Sequence, residues 1–355
     1  MRVLALPKYG PKGPSSRVRF FQYLPFLKDL GAEFEVAPLL DDAYVDAIFS
    51  DGKFGLFDKL SSYFRRMKTL RRIDEFDVVW MENEFLHFLP FYFESTHYRK
   101  KPRVVVNYDD AVFHRYEYHG NPFVRWILGR KIDRVMAEAN HVVVGNSYLE
   151  ERARQAGASR ISVLPSVIDL EEFPGPTFST GDVGELVLGW IGTPNTVKFL
   201  DLVREPLINF SRENHCRLEV MGVPSFKMPE IEVTSVPWEK GAESQFMERV
   251  DVGLMPLVDE PFERGKCGYK LIQYLAAGKP VIASPVGVNR DIVQPEVGIL
   301  AGSDLHWLEA FRAMLNHKRE GRLTTMGQEG RRRVESCFSV QATVQPLWSI
   351  LSGGT

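Results

Sequence analysis

Cysteine is scarce in this chain of 355 residues: Cys216, Cys267 and Cys337 are the whole complement. They lie far apart, with no CxxC pair and no histidine at a zinc-like spacing. That excludes a disulfide framework and points to a reducing compartment. Long hydrophobic runs are missing too. No stretch approaches the roughly 18 apolar residues of a membrane span. The opening MRVLALPKYG has too short an apolar core for a signal peptide, and Pro7 interrupts it. Repeats and low-complexity tails are absent. A formal net charge of −2 gives no general pull toward nucleic acid or anionic membrane, so any basic function must be local. The dinucleotide fingerprint GxGxxG is lacking after the first strand, where Gly10 and Gly13 stand instead; this argues against a standard NAD site.

What is present is a strand–helix alternation repeated twice. Apolar residues make up 44% of the chain, enough for two cores at a soft prior of roughly 150 residues per domain. In the first half Val3–Pro7, FEVAPL, DVVWM, RVVVN, HVVVG and ISVLP read as short parallel strands buried on both faces. In the second half LVLGWIG, RLEVMG, IEVTSV, DVGLMP, PVIAS and VGILA repeat the pattern. A helix is expected through FFQYLPFLKDLG, ending at Gly31. The fold class is therefore α/β, with two doubly wound Rossmann-like domains. Residues 1–168 form the first and 185–336 the second. Residues 169–184, rich in Pro and Gly, make the linker. Residues 337–355 are an amphipathic helix expected to pack back on the first domain.

The chemistry concentrates at Glu263–Asn289. A loop with Gly265 and Gly268 carries Lys266 and Lys270 into a helix over about 269–277, with Gly278 as its C′ residue. Cations in a helix's first turn oppose the macrodipole at roughly 0.3–1 kcal/mol each. Lysines four apart also repel. No Ser, Thr, Asp or Asn caps that end. The conflict disappears if an anion sits there, so a diphosphate site is one reading. Two solvated lysines neutralised by Glu263 is the other. After LVLGWIG the turn Thr193, Pro194, Asn195, Thr196 places Lys198 at another helix start. Trp238 is either an aromatic wall for a base or plain core packing. In the first half, Gly13, Ser15, Ser16 and Arg17 follow the first strand, where glycines permit close approach and the polar groups can bond an anion or hydroxyls. Asp109, Asp110 and His114 follow RVVVN, suited to sugar hydroxyls or general-base work. One aspartate capping the next helix is the bland alternative there. Finally, Leu56–Ile73 is a basic amphipathic stretch, and FLHFLPFYF at 85–93 is unusually aromatic. Both an anionic membrane surface and packing on its own domain would explain the helix.

These pieces, in order, resemble a GT-B fold glycosyltransferase close to glycosyltransferase family 4. PSVIDLEEF resembles the family's interdomain segment, and WIGTPNTVK its glycine turn with a phosphate-binding lysine at Lys198. DVGLMPL with LIQYLAAGKPVIASPVGVN resembles its donor-binding core. Three departures stand out. The family's arginine after the glycine is Thr193. Its two signature glutamates fall on Gly265 and Gln273. Its first-domain histidine falls on Asp109. The resemblance implies two domains facing across a cleft, with a retaining transfer from a nucleotide-diphosphate sugar to a saccharide or lipid-linked acceptor in cell-surface polysaccharide or glycoconjugate synthesis. Lys198 and Lys270 with Asp109 and Asp110 would be catalytic. Gly13, Thr193, Asn195, Trp238, Glu263, Lys266, Cys267, Gly268, Tyr269 and Gln273 would bind donor. Ser15, Ser16, Arg17 and His114 would meet the acceptor. No metal and no further cofactor is implied, and no nucleic acid. The expected place is the cytoplasm or the inner face of the membrane. Two alternatives are a silent sugar-nucleotide-binding partner subunit and a nucleotide-sugar epimerase.

Overall fold

The computed structural model describes residues 1–49, 55–171, 175–176, 183–238 and 241–354. Most of the predicted linker, and Glu172–Phe173 of the interdomain motif, therefore lie outside the described residues. Two compact units emerge. The first comprises Met1–Ser166, Gly265–Cys267 and Thr343–Thr355; the second comprises Val167–Arg264 and Gly268–Ala342.

The first unit's sheet uses Arg2–Leu6 (β1), Glu33–Val36 (β2), Val78–Glu82 (β3), Arg103–Tyr108 (β4), His141–Val144 (β5) and Ile161–Val163 (β6). Its order is β2-β1-β3-β4-β5-β6, all parallel. The second uses Glu185–Ile191 (β7), His215–Met221 (β8), Glu232–Val236 (β9), Val252–Met255 (β10), Val281–Ala283 (β11) and Gly298–Leu300 (β12). Its order is β12-β11-β10-β7-β8-β9, again parallel. Every strand read from the sequence is present. The central ones are mostly apolar and buried along nearly their whole length, as strands of a sheet covered on both faces are. The helix expected through 20–31 is instead a 3₁₀ turn, Phe21–Tyr23, followed by Leu24–Asp29. Pro25 has no N–H to continue a helix from the preceding turn but suits the start of a new one.

In both sheets the first strand's neighbours lead the chain in opposite directions, which makes a switch point where ligands bind at carboxyl ends of strands. In the first unit it lies between β1 and β3. In the second it lies between β7 and β10. There β10 registers with β7 only at Val252–Leu188 and Gly253–Gly189. Past that point Tyr274 takes over: its hydroxyl accepts from Ile191 N–H (2.9 Å) and donates to Gly189 C=O (3.1 Å). The ring passes so close to Gly253 that a Cβ there would lie 2.2 Å from it. Tyr274 thus pins the helix Tyr269–Ala276 to the sheet.

The helix Val340–Ser352 contributes to the first unit from Thr343 onward. Thr343 Oγ1 bonds Tyr23 Oη at 2.8 Å, and Arg103 donates to Leu351 C=O at 3.2 Å. No helix among the described residues is long and apolar enough to cross a membrane.

Tyr274→Phe should destabilise the chain by about 1–3 kcal/mol, the cost of leaving a buried N–H unpaired. Urea unfolding of the two proteins measures it; an unchanged midpoint would remove the hydroxyl from this role.

Candidate functional site

In the second unit the helix Tyr269–Ala276 starts at Gly268, whose φ of 67° suits glycine and whose position offers no side-chain cap. Lys270 lies one turn before Tyr274, on the same face. Because Tyr274 is anchored to β7, Lys270 is carried over the last turns of that strand. Its ammonium sits 4.3 Å from the centre of the Trp190 indole. Trp190 is fully buried, and its far edge lies under Gly192, where a Cβ would come within 2.1 Å of Cη2. The cation of this half-buried lysine therefore rests over an aromatic ring, an arrangement that favours it electrostatically.

The turn after β7 closes on itself. Thr196 N–H bonds Thr193 C=O (2.9 Å), and Thr196 Oγ1 accepts from Thr193 N–H (3.0 Å). Asn195 and Lys198 are exposed, with Lys198 on the 3₁₀ helix Val197–Val203 and 5.4 Å from the Phe199 ring centre. Trp238 is half-buried against the core, and its indole N–H donates to Glu243 at 2.9 Å. Glu263 sits half-buried on the short helix Pro261–Arg264 and makes no ion pair among the described residues. Gln273 is buried.

Gly265–Cys267 cluster with the first unit, so Lys266 and Cys267 belong to that unit's surroundings. Asn146 Nδ2 donates to Gly265 C=O (2.9 Å) and Lys266 C=O (3.0 Å). The Cys267 thiol donates to Asp109 C=O at 3.0 Å, and burial raises its pKa. Gly145 leaves the space that this sulfur occupies: a Cβ there would lie 2.1 Å from it.

The first unit gathers the other predicted residues. Gly13 precedes the short helix Pro14–Arg19 and packs on Tyr9, with Ser15, Ser16 and Arg17 following. Ser16 Oγ donates to Glu82 Oε2 (2.5 Å), which also accepts from Lys8 N–H (2.8 Å). Ser15 Oγ lies 2.8 Å from Glu82 Oε1 and 2.6 Å from Asp109 Oδ2. Glu82, at the carboxyl end of β3, thus joins the loop after β1 to the end of β4. Asp109 and Asp110 are half-buried, and neither caps Phe113–Glu117, whose N-cap is Val112. His114 is engaged at both nitrogens, by Glu117 Oε2 (2.8 Å) and Tyr148 Oη (2.9 Å), and burial lowers its pKa. Serving an acceptor would require breaking one of those bonds. Reading the sequence missed Glu82, Trp190 and Tyr274. The available signal for Glu82 was one acid closing an otherwise apolar strand, VVWME.

Residues 185–329 match the family model "Glycosyl transferases group 1". The fold is that of the GT-B glycosyltransferases. The chain superposes on a sucrose-phosphate synthase (tll1590) from Thermosynechococcus elongatus at TM-score 0.71, 15% identity and 99% coverage of both chains. It superposes on Anabaena Alr3699/HepE in complex with UDP and glucose at TM-score 0.70 and 15% identity, covering 99% of this chain and 100% of that one. Among curated proteins, one named as a teichuronic acid biosynthesis glycosyltransferase, TuaH of Bacillus subtilis (strain 168), is 22% identical over 180 residues. That similarity spans 46% of this chain and 45% of TuaH, so the chain matches less than half of that relative's length.

Thiol accessibility checks the local environments. Cys216 is half-buried with its pKa raised to about 11 by burial, Cys267 is buried, and Cys337 is exposed. With DTNB at pH 8 the native protein should release about one equivalent rapidly, and three after denaturation, because the thiolate is the reacting form. Three fast equivalents in the native protein would contradict the burial of Cys267.

Proposed function

We propose that the chain is a retaining, metal-independent glycosyltransferase that moves a sugar from a nucleotide-diphosphate sugar to a saccharide or lipid-linked acceptor in cell-surface polysaccharide or glycoconjugate synthesis. The observation that carries this reading is Lys270, held over Trp190 at the start of a helix and at the second unit's switch point. As the bond from anomeric carbon to diphosphate breaks, negative charge grows on the leaving group. The ammonium and the helix's first N–H groups are already placed to meet it, so little reorganisation is needed. Lys198 is assigned to the same charge, and Lys266 to donor binding. Asn195 and Thr193 are assigned to donor contacts, and Gln273 to a ribose hydroxyl in place of a glutamate. In the first unit Asp109, with Ser15, is assigned to hydroxyl groups of sugar or acceptor. UDP and glucose in the HepE complex support a nucleotide-sugar donor. The names of TuaH and of the lipopolysaccharide outer core galactosyltransferase WaaB (TM-score 0.61, 14% identity) support a cell-surface product.

The helix Leu56–Leu70 supports a membrane-proximal acceptor. It turns Ser62, Arg66 and Leu70 inward and leaves Phe57 and Phe64 outside, 81% and 70% exposed, along with Leu60 and Met67. Arg66 is not part of a basic outer face: it donates to the carbonyls of Phe85, Pro7 and Ala37. Arg65 and Arg72 pair with Asp41 and with Glu35 and Glu75. Lys59, Lys68 and Arg71 remain exposed around an apolar outer stripe. A helix with this inverted face fits an interfacial position on an anionic bilayer.

A panel of UDP-, GDP- and ADP-sugars, read by thermal shift and then by product NMR, should give one donor that binds and is turned over with retained anomeric configuration, unaffected by EDTA. Binding without hydrolysis or transfer would favour a silent partner subunit. Lys270→Ala should lower kcat/KM by on the order of 10², the scale of losing one preorganised contact to developing charge; near wild-type turnover would count against the assignment. On vesicles of phosphatidylglycerol and phosphatidylcholine the wild type should float, while Phe57→Ser/Phe64→Ser should not. Absence of wild-type flotation would remove the membrane contact.

A further inference from the structure

Ser15 stands between two acids. Its oxygen is within hydrogen-bond distance of both Glu82 Oε1 and Asp109 Oδ2, yet a hydroxyl carries a single proton. If both acids were ionised, one of these contacts would set lone pairs against lone pairs. No Lys or Arg side chain bonds either carboxyl among the described residues. Two buried guanidiniums of this unit bond other groups: Arg66 three carbonyls, and Arg19 Leu164 and Pro165 C=O and Asn107 Oδ1. Asp110 adds a second carboxylate on the Asp109 side, and the thiol of Cys267 meets the Asp109 carbonyl. The Lys8 ammonium lies over the Tyr9 ring, 5.0 Å from its centre.

We propose that Glu82 is a neutral carboxylic acid that holds Asp109, through Ser15, as a pre-oriented carboxylate for a ligand hydroxyl. The proton order follows from the partners of each oxygen. Glu82 Oε2 accepts twice, from Lys8 N–H and Ser16 O–H, and is the carbonyl oxygen of the acid. Oε1 is then the O–H and donates to Ser15 Oγ. Ser15 in turn donates to Asp109 Oδ2. The proton rests on Glu82 rather than Asp109 because Glu82 is 1% exposed while Asp109 is half-buried, and burial penalises the charged form. Burial, then the charge on Asp109, raises the Glu82 pKa. No hydrogen bond to Asp109 Oδ1 is made among the described residues, and an acceptor-only carboxylate oxygen selects a hydroxyl-bearing neutral group over an anion. This rests on the transferase reading for the identity of that group, a sugar or acceptor hydroxyl. The proton arrangement itself does not depend on it. Glu82 is a positioning residue, since it acts through Ser15 and Asp109.

The sign of the pH effect is set by the raised Glu82 pKa. Stability from the neutral acid is present below the ordinary carboxyl range and is lost as pH rises through the raised value. At still higher pH two carboxylates face one hydroxyl and the loop after β1 loosens. Gln reproduces the neutral acid, with an N–H toward Ser15 and a C=O toward Ser16 and Lys8.

The test starts with ligand-free protein. Difference infrared spectra at pH 7 should show a carboxylic-acid C=O stretch in wild type and Asp109→Asn that Glu82→Gln removes. Urea midpoints of Glu82→Gln should fall less than wild type between pH 5 and pH 9. In turnover, Glu82→Ala should lose about 10²-fold in kcat/KM, the scale of a misplaced group, and Glu82→Gln should recover at least about tenfold of that and lack the wild-type basic limb. No acid stretch, or one removed by Asp109→Asn instead, overturns the proposal whatever the activity. With the stretch confirmed and no transfer found with any donor, the transferase reading fails and the proton assignment stands.

Discussion

A parallel sheet that winds both ways from its first strand has to part its strands, and at the parting the ladder runs out of partners. Backbone N–H groups there are still buried and still need acceptors. Each unit meets this need with a side chain from a neighbouring segment. In the second, the Tyr274 hydroxyl accepts from Ile191 N–H. In the first, Glu82 accepts from Lys8 N–H, just past β1. The side chain that closes the gap also fixes the groups beside it. Tyr274 sets the helix on which Lys270 rides. Glu82 sets Ser15 and Ser16, and through Ser15 the carboxylate of Asp109. The chemistry of both sites is thus subordinate to a hydrogen-bond requirement of the fold.

The two solutions differ in electrical character. Tyr274 is neutral and leaves the work of charge to Lys270, which rests on the Trp190 face and at a helix N-terminus. Glu82 makes no ion pair among the described residues, and its carboxyl is held by the Lys8 N–H and the hydroxyls of Ser15 and Ser16 instead. One unit therefore offers positive charge and the other a single directed negative oxygen.

The exposed stripe of Leu56–Leu70 follows the same logic of competing demands. Arg66 is turned inward, where its guanidinium donates to three carbonyls of neighbouring segments, and the helix turns that polar side to the unit. Phe57, Leu60, Phe64 and Met67 are left outside as a consequence.

Much of this was legible from residue order. The twelve strands showed themselves as short apolar runs because both faces are covered. Gly268, Lys270 and the missing cap marked the helix start, since local dipole and spacing are properties of neighbouring residues. Tertiary structure decided the rest. Ser15 is 67 residues from Glu82 and 94 from Asp109. No periodicity links such positions, and only the order of β1, β3 and β4 brings them together. The same holds for Lys270 over Trp190, and for Cys267 at the end of β4, where a sulfur fits because Gly145 has no side chain. Sequence fixes which groups a segment carries and which face they share. Which distant group completes their hydrogen bonds, and so which of them holds a proton or a charge, depends on strand order and burial.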